Sequence, residues 1–353
     1  MKVFCLQLVL GFVGVLCQDA GFLNCPIISR IPKFSFQDLS ALTVAAVINS
    51  TKDLETFLEN GCDVNYNGTF WSEVKEECDD PLFTQLGVSC LRTENYEGYT
   101  ALNLASRYSS LDIVKMLVQV PGIDLDGAST WPSSPVWSAA SLGDVDKVRL
   151  LVTAGASLDF KGSKRGLPVL YVAVLSGSVQ TVAFLIQRGV DVDEKSDELF
   201  SAAAAAAENG QLEILKLLRE GGADLNIAQG KTNQSLLMFP ARNNQTEVLD
   251  FLISEGVDVN AVQSDGISVL SFAAAAGNLD SVMSLVAAGA DIDYQGSEKR
   301  TTALFEAIIN NYTDVAMFLI MNGSIVDAIT SDGFTDFYAA AQVSCEVRNF
   351  VTV

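Results

Sequence analysis

The sequence predicts an all-α repeat solenoid: helix-turn-helix units joined by short β-hairpin fingers, with about eight repeats and a partial ninth. A glycine followed by an acidic turn recurs along the chain, as in "GGADLN" at 221–226 and "GADID" at 289–293. Nineteen residues before each such glycine stands a mostly apolar anchor position, and most successive anchors are 33 or 34 residues apart. A period of this length is typical of a solenoid, in which each unit packs on its neighbours.

The anchor positions define the order of elements within each repeat. Two residues before the anchor stands Ser or Thr in every unit except the one with Pro168. A short Ala-rich helix follows, then a Gly or Asn turn, and then an amphipathic helix such as 212–221, whose apolar residues recur at helical spacing. The anchors, separated by 60, 34, 34, 33, 34, 33, 34 and 33 residues, are Leu42, Leu102, Val136, Leu170, Ala203, Leu237, Leu270, Leu304 and Phe337.

This unit resembles the ankyrin repeat, whose "TPLH…AA…G…GADVN" pattern is clearest in "SVLSFAAAAGNLDSVMSLVAAGADID" at 268–293. The resemblance covers about residues 37–353 and implies a solenoid that binds other proteins. One departure is that the His of the family pattern is missing from every unit, because the chain contains no histidine. We therefore expect the cohesion between repeats to depend more on apolar packing. The residues in the His slot are Thr43, Asn103, Trp137, Tyr171, Ala204, Met238, Ser271, Phe305 and Tyr338.

Residues 1–17 are interpreted as a signal peptide and residues 18–36 as an N-terminal extension before the repeats at 37–353. A single Lys2 precedes an apolar run of 15 residues at 3–17, which is short for a bilayer span and suits a signal-peptide core. An uncleaved anchor is the alternative. No later segment reads as a membrane span, and we expect a secreted protein or one in the lumen of the secretory pathway.

The 60-residue step contains an insertion at about 68–94, within the first finger. Insertions in repeat proteins often map to a binding face, and a disulfide-pinned lid over the end of the stack is an equally acceptable interpretation. Four cysteines cluster near it, and our first choice pairs Cys78 with Cys90 and Cys25 with Cys62. Cys62 occupies a slot that is Ala in other repeats, so it could instead be a small buried apolar residue.

Six N-glycosylation sequons support entry into the secretory pathway. Three of them share the turn between the two helices, where other units have Gly. Because Asn tolerates the left-handed conformation and a following Ser or Thr can cap a helix, turn chemistry alone is a second explanation for those three. The sequon residues are Asn49, Asn67, Asn233, Asn244, Asn311 and Asn322.

The residues expected to bind a partner lie at the finger tips, since exposed aromatic and Arg side chains are common anchors of interfaces. About half of them should instead pack against the neighbouring finger. They are Trp71, Trp131, Phe160, Lys161, Arg165, Tyr294 and Arg300.

Composition restricts the functions open to this chain. With 43 acidic and 22 basic residues, the net charge of −21 argues against nucleic acid and favours a protein partner with a neutral or basic surface. The absence of His excludes imidazole catalysis and His-ligated metals, so we predict no enzyme, no cofactor and no specific metal site. The EF-hand-like stretch at 63–74 lacks the Glu required at its twelfth position. The alternative function is an acidic matrix-type structural protein that binds calcium or mineral diffusely.

The fifth repeat is expected to be the weakest. Its first helix contains six consecutive alanines at 202–207, including the anchor and the His slot, so it buries the least side-chain volume of any unit.

Overall fold

A computed structural model describes residues 46, 49–59, 65, 69–70, 96–97, 100–127, 133–296 and 298–335. It contains two compact units, Met1–Val190 and Asp191–Val353. In the described part of the chain, seven complete helix pairs and the second helix of the first repeat are present. The predicted fold class, a solenoid of helix-turn-helix repeats, is confirmed.

Unit 1 contains seven helices and two short hairpins in its described residues. Hairpin β1–β2 pairs Thr69 with Glu97, and hairpin β3–β4 pairs Lys161 with Pro168; both hairpins are antiparallel. The elements are α1 (Thr51–Glu59), β1 (Thr69–Phe70), β2 (Tyr96–Glu97), α2 (Ala101–Tyr108), α3 (Leu111–Val118), α4 (Pro135–Ser141), α5 (Val145–Ala154), β3 (Lys161–Gly162), β4 (Leu167–Pro168), α6 (Val169–Leu175) and α7 (Val179–Gln187).

Unit 2 contains eight helices in its described residues. Its fingers are turns with isolated β-bridges, such as Gln229 with Gln234 and Val262 with Ser268. The helices are α8 (Ala202–Glu208), α9 (Leu212–Glu220), α10 (Met238–Asn243), α11 (Thr246–Ser254), α12 (Val269–Ala275), α13 (Leu279–Ala287), α14 (Ala303–Ile309) and α15 (Thr313–Met321).

In five of the seven described first helices, the hydroxyl that precedes the anchor is the N-cap; the fourth repeat has Pro168 as its N-cap, with no side-chain hydrogen bond. In the five, the hydroxyl oxygen accepts a hydrogen bond from the backbone N–H three residues on, which satisfies one of the free donors at the helix start. The N···O distances run from 3.0 Å at Thr302 to 3.4 Å at Ser201. The sixth repeat is different, because α10 begins only at Met238 and its N-cap makes no side-chain hydrogen bond. Pro240 lies in the first turn of α10, where a missing N–H costs little.

In each unit, first helices stack on first helices and second helices on second helices. The core lies between these layers, and the described anchors from Leu102 to Leu304 are all at most 3% exposed. All six alanines of α8 are buried as well. Larger rings nearby fill part of the volume, since Phe200 and Phe239 meet edge to face with centroids 6.2 Å apart. The prediction that this repeat is the weakest remains a prediction.

At five of the described fingers, the base of the finger is tied to the next finger by a side-chain bond that we call a rung. In a rung, an Asn or Asp oxygen accepts a backbone N–H about one repeat further along. Asn260 accepts from Asp291 at 2.7 Å, and its amide also donates to the carbonyl of Gly289 at 3.4 Å. The described rungs are Asn65, Asp126, Asp193, Asn260 and Asp293.

None of the described helices is both long and apolar enough to cross a lipid bilayer.

Candidate binding surface

The finger between α5 and α6 presents three basic side chains at the surface of unit 1. Lys161 starts the hairpin, and its tip turns through Ser163, which has a left-handed φ of 63°. Lys161, Lys164 and Arg165 are all exposed. Phe160, at the base of the finger, is half-buried. The predicted finger-tip residues Lys161 and Arg165 therefore lie at the solvent-exposed surface of unit 1.

Trp137 on α4 packs against this finger and forms a hydrogen bond to it. Its indole N–H donates to the carbonyl of Leu167 at 2.9 Å. The indole ring also covers Gly162 so closely that any side chain at that position would overlap it. The finger is consequently held to the preceding repeat by both a hydrogen bond and a flat apolar contact, which fixes the direction in which its tip projects.

The same unit exposes a row of apolar side chains at the C-terminal ends of its first helices. Tyr108, Leu142 and Leu175 are 38%, 53% and 49% exposed, although each lies at the end of a helix whose other face is buried. Because α2, α4 and α6 stack side by side, these residues follow one another along the first-helix layer. Exposed apolar residues in a row, rather than singly, are a feature of interaction surfaces.

In unit 2, the finger between α13 and α14 presents Lys299 and Arg300. Arg300 adopts a left-handed φ of 49°, and its carbonyl accepts the Gln295 amide at 3.1 Å. The Lys299 carbonyl accepts the backbone N–H of Ser331, which joins this finger to the next at 2.9 Å. Tyr294 is half-buried, so of the two predicted residues in this finger only Arg300 is exposed.

Several predicted sites lie outside the described residues. These are the tryptophans Trp71 and Trp131, the sequon Asn67, and the four cysteines assigned to disulfides, Cys25, Cys62, Cys78 and Cys90. Trp71 to Cys90 fall within the insertion at about 68–94, whose described residues are only Thr69 and Phe70. The pairing of the cysteines and the role of the insertion remain predictions.

Sequence reasoning missed a buried polar network between two repeats of unit 1. Asn103, which occupies the His slot of α2, is fully buried, and its amide donates to the carbonyl of Ser133 in the following repeat. Its carbonyl oxygen accepts the Ser138 hydroxyl at 3.0 Å. The Trp137 indole likewise donates to the carbonyl of Leu167 in the next repeat. Apolar packing is therefore not the whole source of cohesion between repeats, because Asn103 and Trp137, both in the His slot, also form hydrogen bonds to the following repeat.

The rung at Asp193 is electrostatically unlike the others. Its carboxylate accepts the backbone N–H of Asp224 at 3.1 and 3.2 Å. Burial raises the pKa of Asp193, and the neighbouring carboxylates of Asp224 and Asp191 add to the increase in pKa, while the backbone hydrogen bond and Lys195 oppose it. This rung places two acidic residues together where Asn260 uses an amide.

Among the described residues, no group of three or more acidic or cysteine side chains is arranged to hold a metal ion. The acidic rungs are instead separated along the finger bases, and in each of them at least one carboxylate oxygen accepts a backbone N–H.

The helix pairs are stacked in two layers, with capped first helices and with fingers tied by rungs. This architecture defines a repeat solenoid of the class that presents fingers and first helices to a partner. Family models for ankyrin repeats match residues 136–229, 195–263, 237–332 and 270–349, and a single-repeat model matches residues 97–127. The chain belongs to the ankyrin repeat family.

The relatives are similar to this chain only in part. An ankyrin repeat and KH domain-containing protein of Caenorhabditis briggsae is 27% identical over 235 residues, which is 65% of this chain and 8% of the relative. A putative ankyrin repeat-containing protein of Treponema pallidum is 40% identical over 27% of this chain and 32% of its own length. This chain therefore spans only a small part of the curated relatives it matches.

The ankyrin repeat domain of Bcl-3 shares the fold. Its crystal structure aligns with a TM-score of 0.55 and 22% sequence identity, over 63% of this chain and 99% of that domain. At this identity the similarity shows the architecture and nothing about the ligand.

Proposed function

We propose that this protein recognises another protein through its fingers and the exposed ends of its first helices. Family membership is the observation that carries the proposal, because the stacked helix pairs serve as a rigid support for variable surface residues. In unit 1, the basic finger and the apolar row formed by Tyr108, Leu142 and Leu175 supply the two kinds of contact that interfaces combine. The protein is proposed to bind rather than to catalyse.

The proposed site of action is the lumen of the secretory pathway or the outside of the cell. The apolar run at 3–17, the cysteine cluster near the N-terminus and six sequons support this location. The domain organisation proposed with it is a signal peptide at 1–17, an extension at 18–36, and repeats at 37–353 with a cysteine-containing insertion at about 68–94. With a net charge of −21, the favoured partner has a neutral or basic surface.

The location is tested by expressing the full chain with its own leader and a C-terminal tag in cultured eukaryotic cells. Appearance in the medium, with the N-terminus at about residue 18, is the expected result. A chain that stays in the cytosol with Met1 intact would refute the proposed location without affecting the binding proposal.

The binding surface is tested by charge reversal in the finger, Lys164→Glu combined with Arg165→Glu. A partner recovered from the extracellular medium with the wild-type protein should be lost with this variant, because the two glutamates would repel the acidic groups that face the basic finger on a partner whose surface is otherwise neutral or basic. The matched control is Lys115→Glu, which reverses an exposed charge on the second helix α3. Equal loss with both variants would point to a general charge effect, and retention with both would refute a role for this finger.

A further inference from the structure

Two turns between helices in unit 2 carry asparagines whose side chains are open to solvent. Asn244 and Asn311 are exposed and left-handed, with φ of 53° and 60°. The neighbouring turns use Gly210 and Gly277, where a side chain would be crowded by Gln245 and Tyr312 of the following repeat. The Asn244 turn is not covered in that way, since the next N-cap, Asn278, donates to the carbonyls of Ala241 and Arg242 instead.

Each of these asparagines is followed two residues later by a threonine that the fold does not use. Thr246 and Thr313 are the first residues of α11 and α15, whose N-caps are Gln245 and Tyr312. Neither threonine hydroxyl forms a hydrogen bond within the described part of the chain, and both are half-buried.

The repeats with a Gly turn have an apolar residue at this position, Leu212 in α9 and Leu279 in α13. Helix capping therefore does not explain why a threonine accompanies Asn but not Gly. Recognition of the Asn-X-Thr sequence does explain it.

The sequon at Asn322 has the opposite character. Its amide nitrogen, the atom that would be modified, donates to the carbonyl of Phe318 at 2.8 Å. Its hydroxyl residue, Ser324, is only 7% exposed and donates to Asp293 at 3.0 Å. Both groups that the modification requires are engaged in the folded repeat.

We infer that Asn244 and Asn311 are N-glycosylated and that Asn322 is not. The donor is a polyprenyl diphosphate-linked oligosaccharide: the amide nitrogen forms a bond to C1 of the sugar, the bond from C1 to the diphosphate oxygen breaks, the lipid diphosphate leaves, and the nitrogen loses one proton. The two turns occupy the same slot two repeats apart, so both glycans extend from the turn edge of unit 2. The inference rests on the proposed location, since only a chain in the secretory pathway meets this donor.

The test expresses the full chain behind a heterologous signal peptide in eukaryotic cells, so that entry does not depend on the protein's own leader. Site occupancy is read by mass spectrometry after enzymatic deglycosylation in ¹⁸O water, which marks each formerly modified Asn. We expect Asn244 and Asn311 to be occupied and Asn322 to be unoccupied. Secreted protein with both turns unmodified, or with Asn322 as fully modified as the turns, would overturn the inference. A failure of the native leader alone would refute only the location.

Variants at the two turns separate the modification from a structural role. Thr246→Val and Thr313→Val should each remove one glycan, whereas Thr→Ser at the same positions should keep it. Asn244→Gly removes the acceptor but keeps a residue suited to the turn, as at Gly210 and Gly277. This variant should lose one glycan and keep the helical circular dichroism of enzymatically deglycosylated wild type. A turn variant without that mass loss would show that Asn244 was never modified.

Discussion

Replacing Asp193 with Asn should stabilise the second unit. In the equivalent rung, the Asn260 amide donates to the carbonyl of Gly289, a bond that a carboxylate cannot make. The corresponding carbonyl for residue 193 is that of Gly222, two residues before the N–H that Asp193 already accepts. The substitution also removes a charge whose pKa is raised by burial and by two nearby carboxylates.

The expected gain is about 1 kcal/mol. A net intramolecular hydrogen bond contributes roughly 0.5–1.5 kcal/mol. Relief of the carboxylate repulsion adds a few tenths of a kcal/mol, at about the level of exposed ion pairs, because Asp193 is half-exposed and screened by solvent. A gain of this size slows hydrogen exchange limited by local opening about fivefold.

The gain should depend on pH, with a definite sign. Since the pKa of Asp193 is raised above its ordinary value of 3.8, the folded state holds this proton more tightly than the unfolded state. The wild type therefore loses stability as pH rises from about 3.8 through the raised pKa, and the loss is complete once the pH is above that raised pKa. The advantage of Asp193→Asn is largest at neutral pH and shrinks towards pH 3.8.

The assay is hydrogen exchange of α9 and the following finger, together with urea unfolding monitored by circular dichroism, at neutral and mildly acidic pH. Asp197→Asn is the control, since it removes an exposed carboxylate from the same finger without touching the rung. The reasoning would be refuted by an Asp193→Asn protein that is less stable than wild type, or by a gain that Asp197→Asn reproduces.

Three further outcomes are expected from buried positions. Ser281 is fully buried, and its hydroxyl has no hydrogen-bond partner in the described chain. Ser281→Val, which copies Val248 at the equivalent position of α11, should therefore raise the unfolding free energy by about 1–2 kcal/mol in urea titrations. A loss of stability with both Val and Ala would show that the hydroxyl is bonded. Asn103→Ala should lower the stability of unit 1 by about 1–3 kcal/mol, because it leaves buried partners unsatisfied, whereas the exposed Asn310→Ala should change the melting temperature little. Amide exchange should be fastest, among the described first helices, in α8, and strong protection there would contradict the weak-repeat prediction.

The sequence alone predicted the repeat positions because the anchors satisfy two requirements at once. Each must be apolar to lie in the core and must recur at the period of the stack, so Leu237, Leu270 and Leu304 are all at most 1% exposed. The exposure of Lys161 and Arg165 followed from the same register, since it places them at the tip of a finger.

The polar contacts between repeats could not be read from that register. Asn103 appeared only as a substitution in the His slot, and its partners Ser133 and Ser138 lie in the next repeat, where Ser residues are common for other reasons. An Asn within an otherwise apolar helix face was the one available signal, because buried amides require partners. The solvent exposure of the turns at Asn244 and Asn311 could likewise not be predicted. It depends on where the N-cap side chain of the following repeat points, and the repeat pattern does not specify that direction.

The chemistry of the five described rungs makes the repeats that carry them specific to their place in the order. Asn65 and Asn260 accept the backbone N–H of Asp124 and Asp291, whereas Asp126 and Asp293 accept that of Ser157 and Ile325. A repeat that was duplicated or transplanted would carry its carboxylate to a new neighbour, often another carboxylate. Shuffling repeats of this chain, in evolution or in the laboratory, thus requires changing one residue at each new junction. The Asp193 junction, where a carboxylate accepts the N–H of Asp224, resembles a junction at which that change was not made.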